Sequence, residues 1–187
     1  MKEFSLCGTK RAENGKKAAK QLRAQGLIPC NLISKDGAQS FTVKAGDVRN
    51  LLYTSYVYAV KLNIDGAEHL AILKEVQFGA VNEELLHIDF QKFEANEAIS
   101  VSIPVKLEGF AEGVKTGGKL VKQVRSLTVK GLYTDIPERL IVDVTSIELG
   151  KTLNVASLKY DNLEILTAPS VIVAAVKATR ASRQNNA

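Results

Sequence analysis

A pair of alternating strands around Asp65-Gly66 constrains the fold more than any other feature of this sequence. Residues 56–64 and 68–78 flank this dipeptide, and both segments alternate apolar and polar side chains as half-buried strands do. Asp-Gly between two such segments is typical of a two-residue hairpin turn. With 187 residues, the chain is long enough for one large or two small cores built from strands of this kind.

The first half of the chain contains further short strands and little helix. Pro29 lies near the start of one of these strands, so that strand is expected at a sheet edge or at its entry point. Two short helices are expected, a basic one within residues 10–26 and a second at 45–53. Such a pattern predicts a small antiparallel barrel or sandwich. The other predicted strands are residues 3–8, 27–33, 40–44 and 85–93.

After a polar, acidic segment at 93–98 the pattern changes to strands without a strong amphipathic helix. We therefore predict a mainly β protein with an antiparallel N-terminal barrel domain at 1–94 and an antiparallel β domain at 95–180. A flexible polar tail at 181–187 follows. The strands predicted in the second half are residues 99–107, 119–124, 126–132, 140–144 and 170–179.

The basic stretch at the start of the chain holds the charge imbalance. Residues 1–26 contain seven Lys or Arg and two Glu, which accounts for the whole formal net charge of +5. Asn14 can accept a hydrogen bond at the start of the predicted helix, and Gly26 suits a left-handed position at its end. Lys16, Lys20 and Arg23 are spaced at i, i+4 and i+7, so they share one face of the helix.

A concentrated positive patch is the electrostatic signature of a polyanion partner. The alternative is a solvated helix whose lysines face water. Glu13 is the only nearby acid that could pair with these lysines, and this favours the polyanion.

Several classes of protein are excluded by composition. No apolar segment approaches the roughly 20 residues that span a bilayer, and the start lacks the apolar core of a signal peptide, so we expect a soluble, cytoplasmic protein. Cys7 and Cys30 form no Cys-x-x-Cys unit and have no histidine at ligand spacing. Both are predicted to be buried free thiols, and no metal or cofactor is expected.

The segment His87-Ile88-Asp89-Phe90 is the sharpest local motif. In a strand, Ile88 and Phe90 face the core while His87 and Asp89 share the opposite, exposed face. There Asp89 can orient the imidazole. Three interpretations are open: polar recognition, a solvated pair, and catalysis. Catalysis also needs a nucleophile or metal ligands. The chain has only two histidines, and their spacing indicates neither.

Residues 113–119 match the first part of a phosphate-binding loop, G-x-x-x-x-G-K. The match then fails, because Leu120 stands where Ser or Thr must ligate Mg²⁺ and a strand follows instead of a helix. A turn with positive φ angles at Gly117-Gly118 is the simpler interpretation.

Taken together, these motifs resemble a known family. Arg11, Gly15-Lys16, Gly26-x-Ile28-Pro29 and the His87 to Phe90 segment are similar, in order and spacing, to bacterial large-subunit ribosomal protein twenty-five. The second half, with Gly113-Val114-x-x-Gly117-Gly118-x-Leu120 and Ile136-Pro137, resembles the extra domain of the long form, the CTC or general stress protein type.

The resemblance implies a non-enzymatic structural component of the large ribosomal subunit. Its barrel domain binds 5S ribosomal RNA in the central protuberance, and its other contacts are large-subunit components, with no membrane or small-molecule substrate. Arg11, Lys16 and Arg23 match basic RNA-contacting positions, and His87 and Asp89 match a polar recognition pair. Lys20 joins this set from the helical spacing.

Two positions depart from the family pattern. Ile33 stands where the family usually has a tyrosine counted among its RNA contacts, and Gly79 lies where a His-Pro pair is common. The alternative function is therefore a stress-linked adapter with weakened RNA binding, whose second domain binds a protein. A nucleotide hydrolase using residues 113–119 is the enzyme alternative.

Overall fold

The computed structural model describes residues 1–35, 37–94 and 96–179. It divides into two compact units, Met1–Ile99 and Ser100–Ala187, which we call the N-terminal and C-terminal units. Strands dominate both units and helices are short, so the prediction of a mainly β protein is confirmed. The predicted tail at 181–187 lies outside the described residues.

The N-terminal unit is a closed six-stranded barrel with strand order β1-β3-β2-β6-β5-β4. Its two helices are the two that the sequence predicts. The strands are β1 (Lys2–Lys10), β2 (Leu27–Ser34), β3 (Gly37–Lys44), β4 (Tyr58–Ile64), β5 (Ala67–Phe78) and β6 (Leu85–Lys92), and the helices are α1 (Lys16–Ala24) and α2 (Ala45–Leu52).

The predicted hairpin between β4 and β5 is confirmed. Asp65 and Gly66 have φ angles of 49° and 93°, the left-handed conformations that a two-residue turn of this type requires. The expectation of an all-antiparallel barrel is corrected, because β1 pairs with β4 and β2 pairs with β6 in parallel. Parallel neighbours are joined through long connections. The alternation of side chains within one strand does not indicate which distant strand will pair with it.

Alternation along the strands directs one set of side chains into the barrel. Phe41 and Phe90 are completely buried there, with ring centroids 5.9 Å apart. Pro29 does not mark an edge strand, because β2 has a neighbour on each side. The alternative expectation of an entry point holds, since pairing of β2 with β6 begins only at Cys30. The proline, which lacks an N–H, precedes that ladder.

The C-terminal unit contains two small sheets. One has the order β10-β7-β9-β12 and the other β11-β13-β8. Their bounds are β7 (Ala98–Glu108), α3 (Glu112–Lys115), β8 (Lys119–Lys122), β9 (Ser126–Leu132), β10 (Leu140–Asp143), β11 (Thr152–Asn154), a 3₁₀ turn (Val155–Ser157), β12 (Glu164–Ile165) and β13 (Ile172–Lys177).

Two features of this unit differ from the sequence prediction. β10 pairs with β7 in parallel, so this region is not purely antiparallel. The strands β11 and β12 were not predicted, because two or three residues are too few for an alternating pattern to show. The core is formed by the inward residues of β7, β9, β10 and β13, among them Ile103, Leu127, Leu140 and Val173, each completely buried.

Candidate nucleic-acid interface

Helix α1 forms where the sequence predicts it, but its start differs. Gly15, with φ 123°, occupies the N-cap, and no side chain caps the helix, so the expected capping by Asn14 is wrong. The end agrees with the prediction, because Gly26 adopts φ 74°, a conformation that favours glycine. The helix packs against β2 of the barrel.

The two faces of α1 have different roles. Ala18, Ala19 and Leu22 are half-buried against the barrel, whereas Lys16 and Lys20 are exposed. Neither lysine has an ion pair with any described carboxylate. These two ammonium groups therefore present unneutralised charge to the surroundings.

Arg23 differs from the other members of the predicted stripe. Its Nε donates a 2.9 Å hydrogen bond to the carbonyl oxygen of Leu86 in β6, and the contact is partly buried. Arg23 therefore fastens α1 to the strand that carries His87 and Asp89, and it is not an exposed cation equivalent to Lys16 and Lys20. The i+7 spacing puts Arg23 on the same face as Lys16, and only the hydrogen bond to Leu86 distinguishes its role.

A polar row crosses the outer surface of the barrel beside this helix. Directly opposite residues share a face of a sheet, and the register aligns Ser40 with Asn31, Asn31 with Asp89, and Asp89 with Glu75. The Ser40 hydroxyl lies 3.1 Å from Asn31 Oδ1, to which it donates. Arg11, immediately after β1, joins the row through its backbone N–H, which donates to the Ser40 carbonyl oxygen at 3.0 Å.

His87 and Asp89 lie on the same face of β6, as the alternation predicts. Their nearest atoms, Nδ1 and Oδ1, are 3.4 Å apart, and their side chains are only 19% and 20% exposed. The shared face is confirmed, but at this pair it is half-buried rather than exposed as expected. The neighbouring helix is anchored at Leu86, one residue before His87, and Leu86 itself is half-buried rather than part of the inner core.

Two buried polar atoms of this row lack hydrogen bonds within the described part of the chain. They are Asp89 Oδ1 and Arg11 Nε, although Arg11 Nη2 does donate to the Glu13 carbonyl oxygen at 3.1 Å. Buried polar atoms in native proteins nearly always have a partner. A carboxylate can only accept hydrogen bonds, and His87 Nδ1 lies 3.4 Å from this atom, so Asp89 Oδ1 can accept from His87 or from a donor on another molecule.

Asn31, Ser40 and Glu75 are members of this surface that the sequence reasoning missed. Each occupies an outward position of its strand. Asn31 stands between the apolar residues Cys30 and Leu32, so β2 looks like a continuous apolar strand in the sequence. A signal did exist, since a polar residue inside an apolar strand is unusual unless it is paired. Recognising the row also required knowing that β2 neighbours β6.

The two thiols have opposite environments. Cys30 is buried in the barrel core, as predicted, but Cys7 is exposed, so that half of the prediction is wrong. Burial raises the pKa of the Cys30 thiol well above its usual range, and the nearby Asp89 carboxylate raises it further, while Arg11 acts in the opposite direction. Cys30 is accordingly an unreactive core residue.

The glycine-rich segment of the C-terminal unit does not form a phosphate cradle. The N–H groups of Gly113, Gly117 and Gly118 donate to the carbonyl oxygens of Ile147, Val114 and Gly113 at 2.9, 3.0 and 2.9 Å. The backbone donors that a phosphate requires are therefore occupied. Gly117 has φ 91°, as the turn interpretation predicts.

Among the described residues, no group of three or more His, Cys, Asp or Glu is arranged to hold a metal ion. Within residues 1–35, 37–94 and 96–179, none of the helices combines the length and apolar character needed to cross a membrane.

Known proteins are similar to this sequence over nearly its whole length. Residues 6–90 match the ribosomal L25p family, and residues 98–180 match the C-terminal domain of ribosomal protein TL5. The large ribosomal subunit protein bL25 of Phocaeicola vulgatus is 48% identical over 190 residues, covering 98% of this chain and 96% of that protein.

The chain belongs to the ribosomal L25p family. Other bL25 proteins extend the comparison, with 48% identity for Azobacteroides pseudotrichonymphae and 45% for Porphyromonas gingivalis. Each alignment covers 98% of this chain and 96% or more of the relative. The resemblance to the long form of the family is thereby confirmed.

Membership in the L25p family makes the chain a structural, non-enzymatic ribosomal protein. Its location is the cytoplasmic ribosome, in association with other ribosomal components. The nucleotide-hydrolase alternative is excluded by the family and by the occupied N–H groups of the glycine segment.

Proposed function

We propose that the N-terminal unit binds 5S ribosomal RNA within the central protuberance of the large subunit. Lys16 and Lys20 supply attraction to phosphates, while His87 and Asp89 recognise polar groups of the RNA. Arg11 contributes from the end of the polar row, and Arg23 holds the helix and the recognition strand together. The C-terminal unit contacts other components of the subunit.

The charge distribution supports the first part of this proposal. Residues 1–26 hold an excess equal to the entire net charge of +5, and Lys16 and Lys20 are exposed without ion pairs to described carboxylates. Phosphate contacts of this kind fix orientation and affinity but carry no sequence information. Recognition therefore has to come from other residues.

The buried Asp89 Oδ1 atom, which accepts no hydrogen bond from a described residue, is the observation on which the recognition role rests. A carboxylate repels phosphate, so Asp89 opposes RNA binding at this surface unless it accepts a hydrogen bond from the RNA. RNA offers such donors in its 2′-hydroxyls and in the amino groups of exposed bases. The polar row, half-buried at Asn31 and Ser40, provides further donors and acceptors beside Asp89.

Ile33 does not remove this surface. It lies two residues after Asn31 on the same face of β2 and pairs with Gln91 of β6. An aliphatic side chain there cannot stack on a base as a tyrosine does. Recognition in this chain accordingly depends more on the polar row than on an aromatic contact.

The test measures 5S RNA binding as a function of salt concentration. Binding weakens as salt rises, and each phosphate contact makes log K fall more steeply with log salt by roughly 0.7 to 0.9. Lys16→Gln with Lys20→Gln should therefore make this fall less steep by about 1.5. The matched control is Lys61→Gln with Lys106→Gln, two lysines that are ion-paired with Glu3 and Glu108.

The control pair should retain the parent slope. A slope that stays unchanged in the Lys16 and Lys20 variant would contradict the phosphate role of this helix, and absence of 5S RNA binding by the parent would remove the proposal as a whole.

A further inference from the structure

A second segment rich in cations lies in the C-terminal unit, where the overall charge balance conceals it. Residues 113–134 contain five Lys or Arg and no Asp or Glu. The acids that balance them lie elsewhere in the chain. The cations are Lys115, Lys119, Lys122, Arg125 and Lys130.

One of these cations has a hydrogen-bond partner inside the unit, and another lies opposite an acidic residue. The Nζ atom of Lys122 donates to the carbonyl oxygen of Val105. Lys130 of β9 lies directly opposite Glu164 of β12, an arrangement of opposite charges that stabilises a sheet. These two lysines thus have a structural explanation.

Lys119 has no such explanation. It lies directly opposite Lys177, because β8 and β13 pair with that register, and both side chains are exposed. Directly opposite residues have Cβ atoms about 5 Å apart, and like charges placed in this way destabilise a sheet. Neither lysine forms an ion pair with a described residue.

The two strands that carry the pair do not neutralise it. Neither β8 nor β13 contains an acidic residue, and β8 is an edge strand of its sheet. The Thr179 hydroxyl donates to the Gly117 carbonyl oxygen at 2.7 Å. This bond ties the chain after Lys177 to the turn before Lys119, so both lysines are held at the same end of the sheet.

We propose that Lys119 and Lys177 form a second RNA-binding site, which binds the phosphate backbone of large-subunit ribosomal RNA. A phosphate group between the two ammonium groups converts their repulsion into two charge-assisted hydrogen bonds. Phosphate is favoured over an acidic protein segment, because lysines are depleted at the centres of protein interfaces, whereas RNA backbones are bound by paired cations. The site is separate from the 5S RNA surface proposed above.

The experiment uses the full chain and large ribosomal subunits depleted of this protein. Because the two lysines bind one phosphate group, Lys119→Gln with Lys177→Gln should make the decrease of log K with log salt less steep by about 0.8. The matched control is Lys106→Gln with Lys130→Gln, which removes the same charge from lysines that face acids, and it should keep the parent slope. Lys119→Arg with Lys177→Arg should also keep it, because both charges remain.

Thermal unfolding shows whether the Gln variant is folded. Removing like charges from opposite positions relieves repulsion, so the melting temperature of the Gln variant should be equal to or above that of the parent. A parent-like slope in the Gln variant would overturn the proposal. So would a decrease that appears with whole subunits but is absent with protein-free large-subunit RNA, since that outcome identifies an acidic protein as the partner.

Failure of this site is distinguishable from failure of the 5S proposal. The Lys16 and Lys20 variant is measured with isolated 5S RNA, and the Lys119 and Lys177 variant with depleted subunits and protein-free large-subunit RNA. Each slope therefore reports on one surface.

Discussion

The two basic surfaces of this protein are built in different ways. In the N-terminal unit, Lys16 and Lys20 project from a helix that rests on a closed barrel, in which every strand has two neighbours. In the C-terminal unit, Lys119 lies on a four-residue edge strand that follows a turn rich in glycine. The lysine-rich surface of the N-terminal unit therefore depends on helix packing, and that of the C-terminal unit depends on close backbone contacts.

Adding one methyl group to α3, the short helix before that turn, tests the second construction and has the largest expected effect. A Cβ on Gly113 would lie 2.5 Å from the backbone carbon of Glu148 and from the nitrogen of Leu149. Backbone atoms cannot move aside as a flexible side chain can, so Gly113→Ala should lower the free energy of unfolding by about 3 kcal/mol. Urea denaturation measures the change.

Gly46→Ala in α2 is the matched control, because a Cβ there meets nothing within 4 Å. Alanine favours helix over glycine, so this variant should gain about 0.5 kcal/mol. Similar losses in both variants would show that the glycine segment has no special packing role.

The construction of the N-terminal surface depends on Arg23. Arg23→Met keeps much of the side-chain length but removes the Nε donor to Leu86. A hydrogen bond from a charged group contributes about 1.5 kcal/mol or more, and the free energy of unfolding should fall by about that amount. A purely RNA-contacting Arg23 would instead leave stability unchanged.

Lys20→Met, on the exposed face of the same helix, is the control for Arg23→Met. Its effect should stay within about 0.5 kcal/mol, as is usual for surface substitutions. Equal effects at the two positions would contradict the anchoring role of Arg23.

The sequence predicts local elements of this fold well, because their signals are local. Alternation identifies the barrel strands, Asp65-Gly66 identifies the hairpin, and Gly26 identifies the end of α1. The parallel pairing of β2 with β6 has no comparable local signal, since it joins residues more than fifty positions apart. The polar row through Asn31 and Asp89 is a product of that pairing and could not be foreseen.

In the candidate site, too, the sequence predicts features within one element but not contacts between elements. The spacing within one element correctly places His87 and Asp89 on a shared face and Lys16 and Lys20 on an exposed face. The partial burial of the first pair depends on contacts between elements. The role of Arg23 depends on its hydrogen bond to Leu86, which helical spacing does not encode.

The most direct test of the recognition role is 5S RNA binding by Asp89→Ala at fixed salt. Alanine removes both acceptor oxygens of the side chain together with its negative charge. Attraction by charge alone predicts equal or tighter binding, because a repulsive carboxylate is gone. Acceptance of an RNA donor by the buried Oδ1 atom predicts weaker binding, by about 1 kcal/mol or roughly fivefold. Weaker binding by the folded variant is the result we predict, and equal or tighter binding would contradict the recognition role of Asp89.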